Sequence, residues 1–172
     1  MNNTQNKNKN SVNTSYATPF NVDLFSYKLN NSFMEYFRRI GSLPNSIKDV
    51  MANPSTAEFI EENLGQTFGL NDDQKTEITR ILRDILLSDL FWGDFSKTIS
   101  TRLQVPPDTA NQIVKALTDG LLAPALEDIK AMQKEKFSNR ISQSQTNQTQ
   151  TQPPEKNIKP EQGNVIDLRN QK

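Results

Sequence analysis

The chain contains neither cysteine nor histidine. Without cysteine no disulfide framework can form, and the redox compartment leaves no mark on the sequence. The double absence removes most zinc and transition-metal sites. It also removes the commonest general base and the Ser-His and Cys-His nucleophile pairs. No glycine-rich nucleotide loop and no metal-ligand spacing takes their place. No catalytic, cofactor-binding or metal-ligating residue is therefore assigned, and the expectation is a protein that is not an enzyme. Glu58, Glu61 and Glu62, with Asp72 and Asp73, read as a solvated face and a helix-start charge. No apolar run approaches the ~20 residues of a bilayer span. The opening residues are polar and carry no apolar signal-peptide region. A cytoplasmic protein without a transmembrane segment is expected.

Apolar residues are scarce too, at 34% of 172 residues with a mean hydropathy of -0.71. One domain is expected, with part of the chain outside its core. Lysine plus arginine equals aspartate plus glutamate at 20 each, but the charges are unevenly placed. Residues 1–42 carry five basic and two acidic groups, residues 43–137 ten and fifteen, and residues 138–172 five and three. An acidic central region argues against strong nucleic-acid binding, which needs cations for phosphates.

What is present is a run of helical periodicity from Leu70 to Phe137. Ile78, Ile81, Leu82, Ile85, Leu86 and Leu90 recur at the spacing of one broad apolar stripe. Asn71 is a good N-cap, and Gln74 stands where a capping box wants Glu or Gln. Phe95, Ile99 and Leu103 predict a second, short helix. Pro106-Pro107 ends it and opens a third, with Ala110, Ile113, Val114, Leu117 and Leu121 on one face. Pro124 predicts a kink, because its ring presses on the carbonyl of Gly120. Before this run, Pro44 opens a weak helix and Asn53-Pro54 starts another, with Gly65 placed at its C′ position. The whole reads as an all-α bundle of five to six helices over residues 43–137. Ile81, Leu82, Ile85, Ile99, Leu103, Ile113, Val114 and Leu117 are its expected core.

The flanks differ in kind. Residues 1–18 hold six asparagines and read as a disordered arm. Residues 19–42 form an aromatic-rich helical segment, with six of the thirteen aromatics between positions 19 and 40. Phe33, Phe37 and Ile40 fall at i, i+4 and i+7, and Gly41 is placed to stop the helix. Packing on the bundle and docking into a partner's groove are both open to this segment. Residues 138–163 read as a disordered Gln/Thr/Ser/Pro linker, and residues 164–172 hold a short apolar motif. There Val165, Ile166 and Leu168, followed by Arg169, form a small apolar island.

The pattern Asp94-Phe95, Leu103-Gln104-Val105, Ala110, Ile113, Leu117, Leu121, Pro124 and Glu127-Asp128-Ile129 resembles a group of small helical proteins from small-genome bacteria. Some of these share a Val-Ile-Asp-Leu-Arg type ending. The resemblance covers about residues 58–132 plus the tail. It implies the helical fold and carries over no site residue, since the group has no assigned activity.

Two function classes follow. Ile99 to Ala110 has the outline of a helix-turn-helix, with Asn111 and Gln112 placed to read bases. However, its second helix begins with Asp108 and offers only Lys115 before Asp119. A protein-interaction or adaptor module fits the layout better, with Val165, Ile166, Leu168 and Arg169 as a tethered docking peptide and Phe33 and Phe37 as a second contact. The expected partner is a protein.

Overall fold

Asn71 and Gln74 exchange both hydrogen bonds of a capping box. The Gln74 N–H donates to Asn71 Oδ1 at 2.9 Å, and the Asn71 N–H to Gln74 Oε1 at 3.0 Å. The long helix they open is the centre of the fold, and the computed structural model describes residues 17–29 and 32–141 around it. In chain order the helices are α1 (Leu24–Leu29), α2 (Phe33–Gly41), α3 (Asn45–Ala52), α4 (Pro54–Glu58) and α5 (Gly65–Phe68). There follow α6 (Asp72–Leu86), α7 (Phe95–Leu103), α8 (Pro107–Ala116) and α9 (Leu126–Lys136). A π-helical turn, Phe59–Leu64, joins α4 to α5, and another, Leu117–Leu122, extends α8. The described residues are all helix and turn, and between 43 and 137 they make the bundle.

The stripe on α6 is the core. Ile78, Ile81, Leu82, Ile85 and Leu86 are fully buried, against Ile47 and Met51 of α3, Ile99 of α7 and Ile113 of α8. Ile85 is at 0% exposure, so its truncation to alanine costs about 2–5 kcal/mol. Ile81, Leu82, Ile99, Leu103, Ile113 and Leu117 are buried as the periodicity requires. Val114 is only partly buried. It stands one residue round from Ile113, at the edge of the α8 stripe.

Gly65 does not end its helix. The π-helical turn before it carries the chain onward, and the left-handed residue that stops the rod is Gly69, at φ 62°. Gly41 does not provide a left-handed stop either. It is the last residue of α2, and Ser42 caps the helix in right-handed geometry, its N–H donating to the carbonyls of Arg38 and Arg39. Pro124 behaves as its chemistry demands. It sits at the start of a 3₁₀ turn, Ala123–Ala125, where a missing N–H costs nothing, and the wide turn before it relieves the clash. Gly120, in that wide turn, lets the Phe59 ring approach so closely that a Cβ would lie 2.8 Å from it.

At the other end of α6 the chain turns on Ser88, at φ 53°. Its residue is 2% exposed and its Oγ has no hydrogen-bond partner among the described residues.

Candidate docking face

The aromatic segment packs onto this bundle through a residue the i, i+4 pattern passes over. Tyr36 is 3% exposed, whereas Phe37 is 38% and Met34 71% exposed. Met34 and Phe37 are the large exposed apolar side chains among the described residues. The inward stripe of α2 is thus Tyr36 and Ile40, not Phe33 and Phe37. Tyrosine takes the buried place because its hydroxyl finds an acceptor there. Its O–H donates to the Phe20 carbonyl at 2.7 Å, with the Pro19 carbonyl at 3.3 Å. Burial pushes the Tyr36 phenol well above its ordinary pKa of 10.0.

Residues Thr18 to Asp23 hold those carbonyls in place. The Thr18 N–H donates to Asn21 Oδ1 at 2.7 Å, and the Phe20 N–H reaches the Met51 carbonyl of α3 at 3.0 Å. Thr18, which composition assigns to the arm, is 7% exposed and belongs to this turn. Asp23 follows at φ 62°, a conformation Asp tolerates better than most residues. Its carboxylate takes paired hydrogen bonds from Arg80 at 2.9 and 2.8 Å and a third from Arg83 at 3.1 Å. The hydrogen bond from Arg80 is the main cause that holds the Asp23 carboxyl below its ordinary value of 3.8. Desolvation opposes it and Arg83 adds to it. The Arg83 guanidinium also lies 5.7 Å from the centre of the Tyr27 ring, and Tyr27 stacks on Tyr36 at 4.4 Å.

The far end of α2 is tied down as well. Arg39 donates to both Asp89 carboxylate oxygens at 2.8 Å, and Lys136 of α9 reaches the same group at 2.9 Å. With its inner face packed and its end pinned, α2 is a rigid mount for its outer face. On that face Phe33 and Phe37 meet at 4.5 Å, Met34 lies beside them, and Phe20 abuts Phe37 edge-on at 5.6 Å. Phe33 and Phe37 are therefore brought together as a contact pair. Val165, Ile166, Leu168 and Arg169 lie outside the described residues, as do residues 1–16 of the Asn-rich arm and most of the linker.

Sequence reasoning missed Tyr36 and Asp23. For Tyr36 the signal was its hydroxyl, since Tyr36 and Ile40 are also i, i+4. For Asp23 there was no signal, because its partners are 57 and 60 positions away.

The helix-turn-helix outline is present as α7, a turn at Gln104 (φ 56°), and α8. Its cations are largely spent. Arg102 pairs with Glu77 at 3.2 Å and Asp84 at 3.4 Å, and Lys115 with Asp119 at 2.5 Å. Asn111 accepts a hydrogen bond from Ser96. A polar cleft of about 630 Å³ opens where α6 begins and α7 ends, but Arg80 and Arg102 on its wall are both in ion pairs. Among the described residues no acidic group is arranged to hold a metal ion, and no helix is long and apolar enough to cross a membrane.

Comparison with protein-family models, with curated proteins and with solved structures finds no match to this chain.

Proposed function

We propose that this chain is a non-enzymatic protein-interaction or adaptor module with two contact elements. One is the outer face of α2, with Phe33 and Phe37 beside Met34. The other is the tethered peptide Val165, Ile166, Leu168 and Arg169. The observation that carries the reading is the exposure of Met34 and Phe37 on a helix whose inner face and last turn are anchored. Because the helix is already anchored, a partner that covers its outer face orders side chains but no further backbone. The apolar island at 165–168 supports the second element, since a polar segment gains nothing for itself from Val-Ile and Leu.

The test separates the two elements. Met34→Ser in one variant, and Ile166→Ala with Leu168→Ala in another, are each expected to leave the thermal midpoint unchanged and to lose a co-purifying partner. A fall in midpoint from the tail variant would make the tail part of the fold. Unchanged partners in both would end the reading.

The second reading, nucleic-acid binding through α7 and α8, is favoured by the three-residue turn between them. Its test is a mobility shift at moderate salt that is sensitive to Lys115→Ala. The acidic balance of residues 43–137 predicts none.

A further inference from the structure

We infer that the aromatic segment, residues 18–29 with 32–41, is a releasable strap that opens from the bundle as one unit while residues 43–137 stay folded. The observation that carries this is a doubling of partners at its charged clasps. Arg80 and Arg83 hold Asp23, and each also has an acid on α6 itself. Arg80 meets Glu77 at 3.2 Å, and Arg83 meets Asp84 at 3.2 Å. At the other clasp Asp89 holds Arg39 at 2.8 Å and Lys136 of α9 at 2.9 Å. Release of the strap therefore leaves none of these bundle charges without a counter-ion. The strap's own charges, Asp23 and Arg39, go to water, where their side chains are already 27% and 41% exposed.

The apolar contacts divide in the same way. Among the described residues, the apolar side chains at 0% exposure all lie between Ile47 and Ala125. In the strap Val22 and Tyr36 are buried, whereas Phe20, Leu24, Tyr27 and Ile40 are only partly covered. The strap also holds itself together. The Tyr36 hydroxyl bonds the Phe20 carbonyl, the Tyr36 ring stacks on Tyr27, and Phe20 abuts Phe37. Few buried apolar contacts outward, with bonds inward, mark a unit that opens below the free energy of global unfolding. Opening uncovers little apolar area, so urea does not separate it from global unfolding, and hydrogen exchange does. Met34 and Phe37 ride on the strap, so their orientation is fixed only while both clasps are closed. That consequence rests on the docking reading; the strap itself does not.

Hydrogen exchange of the full chain, followed amide by amide where reclosing outpaces exchange, tests the inference. The Phe20 N–H, bonded to the Met51 carbonyl, and the Tyr36 N–H, bonded to the Ser32 carbonyl, report on the strap. They should be about a hundredfold less protected than the N–H groups of Ile81 and Leu82 in α6. Ile113→Val, in the core of α8, should speed the α6 amides about fivefold and leave the strap amides unchanged. Asp23→Asn should speed both sets by one common factor, about tenfold, because it weakens the closed state relative to both open ones.

Equal protection of the two sets, or strap amides that follow Ile113→Val, overturns the inference. So do strap amides with no protection at all, since the strap would then never be closed. No partner enters the measurement, so its failure leaves the docking reading to be decided by co-purification.

Discussion

The Tyr36 hydroxyl hydrogen-bonds the Phe20 carbonyl at 2.7 Å, across sixteen positions of sequence. That bond couples the turn at Thr18–Asp23 to α2, and the turn in turn is tied to α3 and α6. It gives the aromatic segment a fixed orientation on the bundle that apolar contact alone would not specify.

Tyr36→Phe keeps the ring and its stacking on Tyr27 but leaves the Phe20 carbonyl without its donor. The expected loss is about 1–3 kcal/mol, the cost of a protected acceptor left unmade. Urea unfolding should show a lower midpoint with an unchanged slope. A wild-type midpoint would mean that water satisfies the carbonyl equally well.

Asp23 makes the same anchor sensitive to acid. Its carboxyl titrates lower in the folded chain than its ordinary value of 3.8, chiefly through the hydrogen bond from Arg80. Protonation therefore favours the unfolded state. The contribution is fully present above pH 3.8 and is lost as pH falls through the lower folded value. Asp23→Asn should be less stable at pH 7 and approach the parent as pH falls below 4. Asparagine tolerates the left-handed backbone at this position, so the substitution adds no strain of its own. Parallel stability curves for the two proteins from pH 7 to pH 2 would refute this.

Ser88 combines a left-handed backbone with a buried, unpartnered hydroxyl. Ser88→Gly removes both penalties at the expense of greater freedom in the unfolded chain. A net gain of about 1 kcal/mol is expected, read as a rise in the thermal midpoint. A lower midpoint would show that the hydroxyl is satisfied in solution.

Gly120→Ala should destabilise although alanine is the better helix former by about 1 kcal/mol. The new Cβ would stand 2.8 Å from Phe59 Cε2 and Cζ, so the ring must shift. A net cost of about 1–3 kcal/mol is expected. Adding Phe59→Leu should cost less in the Gly120→Ala background than in the parent, because the two changes share one contact. Additive losses would place the strain elsewhere.

Local chemistry and periodicity were enough for much of the fold. The α6 stripe, the Asn71–Gln74 capping box, the Pro107 helix start and the interruption at Pro124 each depend on residues within a turn or two of one another. Short-range rules read such features without knowing the rest of the chain. Helix ends followed less well, because a π-helical turn changes the residue count per turn. Gly65 consequently lies inside its rod and Gly69 ends it.

The face of α2 was a tertiary decision. Phe33, Tyr36, Phe37 and Ile40 offer two overlapping apolar stripes of similar hydrophobicity, and periodicity does not choose between them. The choice fell to a carbonyl at Phe20 that only Tyr36 can satisfy, and to Asp89, which holds Arg39 from fifty positions away. Asp23 was invisible for the same reason, since a lone aspartate after a turn says nothing about the two arginines of α6 that will surround it. Hydrophobic burial is non-directional and repeats along a helix, so sequence alone establishes that a helix has an apolar face. Hydrogen bonds and ion pairs between distant segments are directional, and they determine which face is turned inward and which is left exposed.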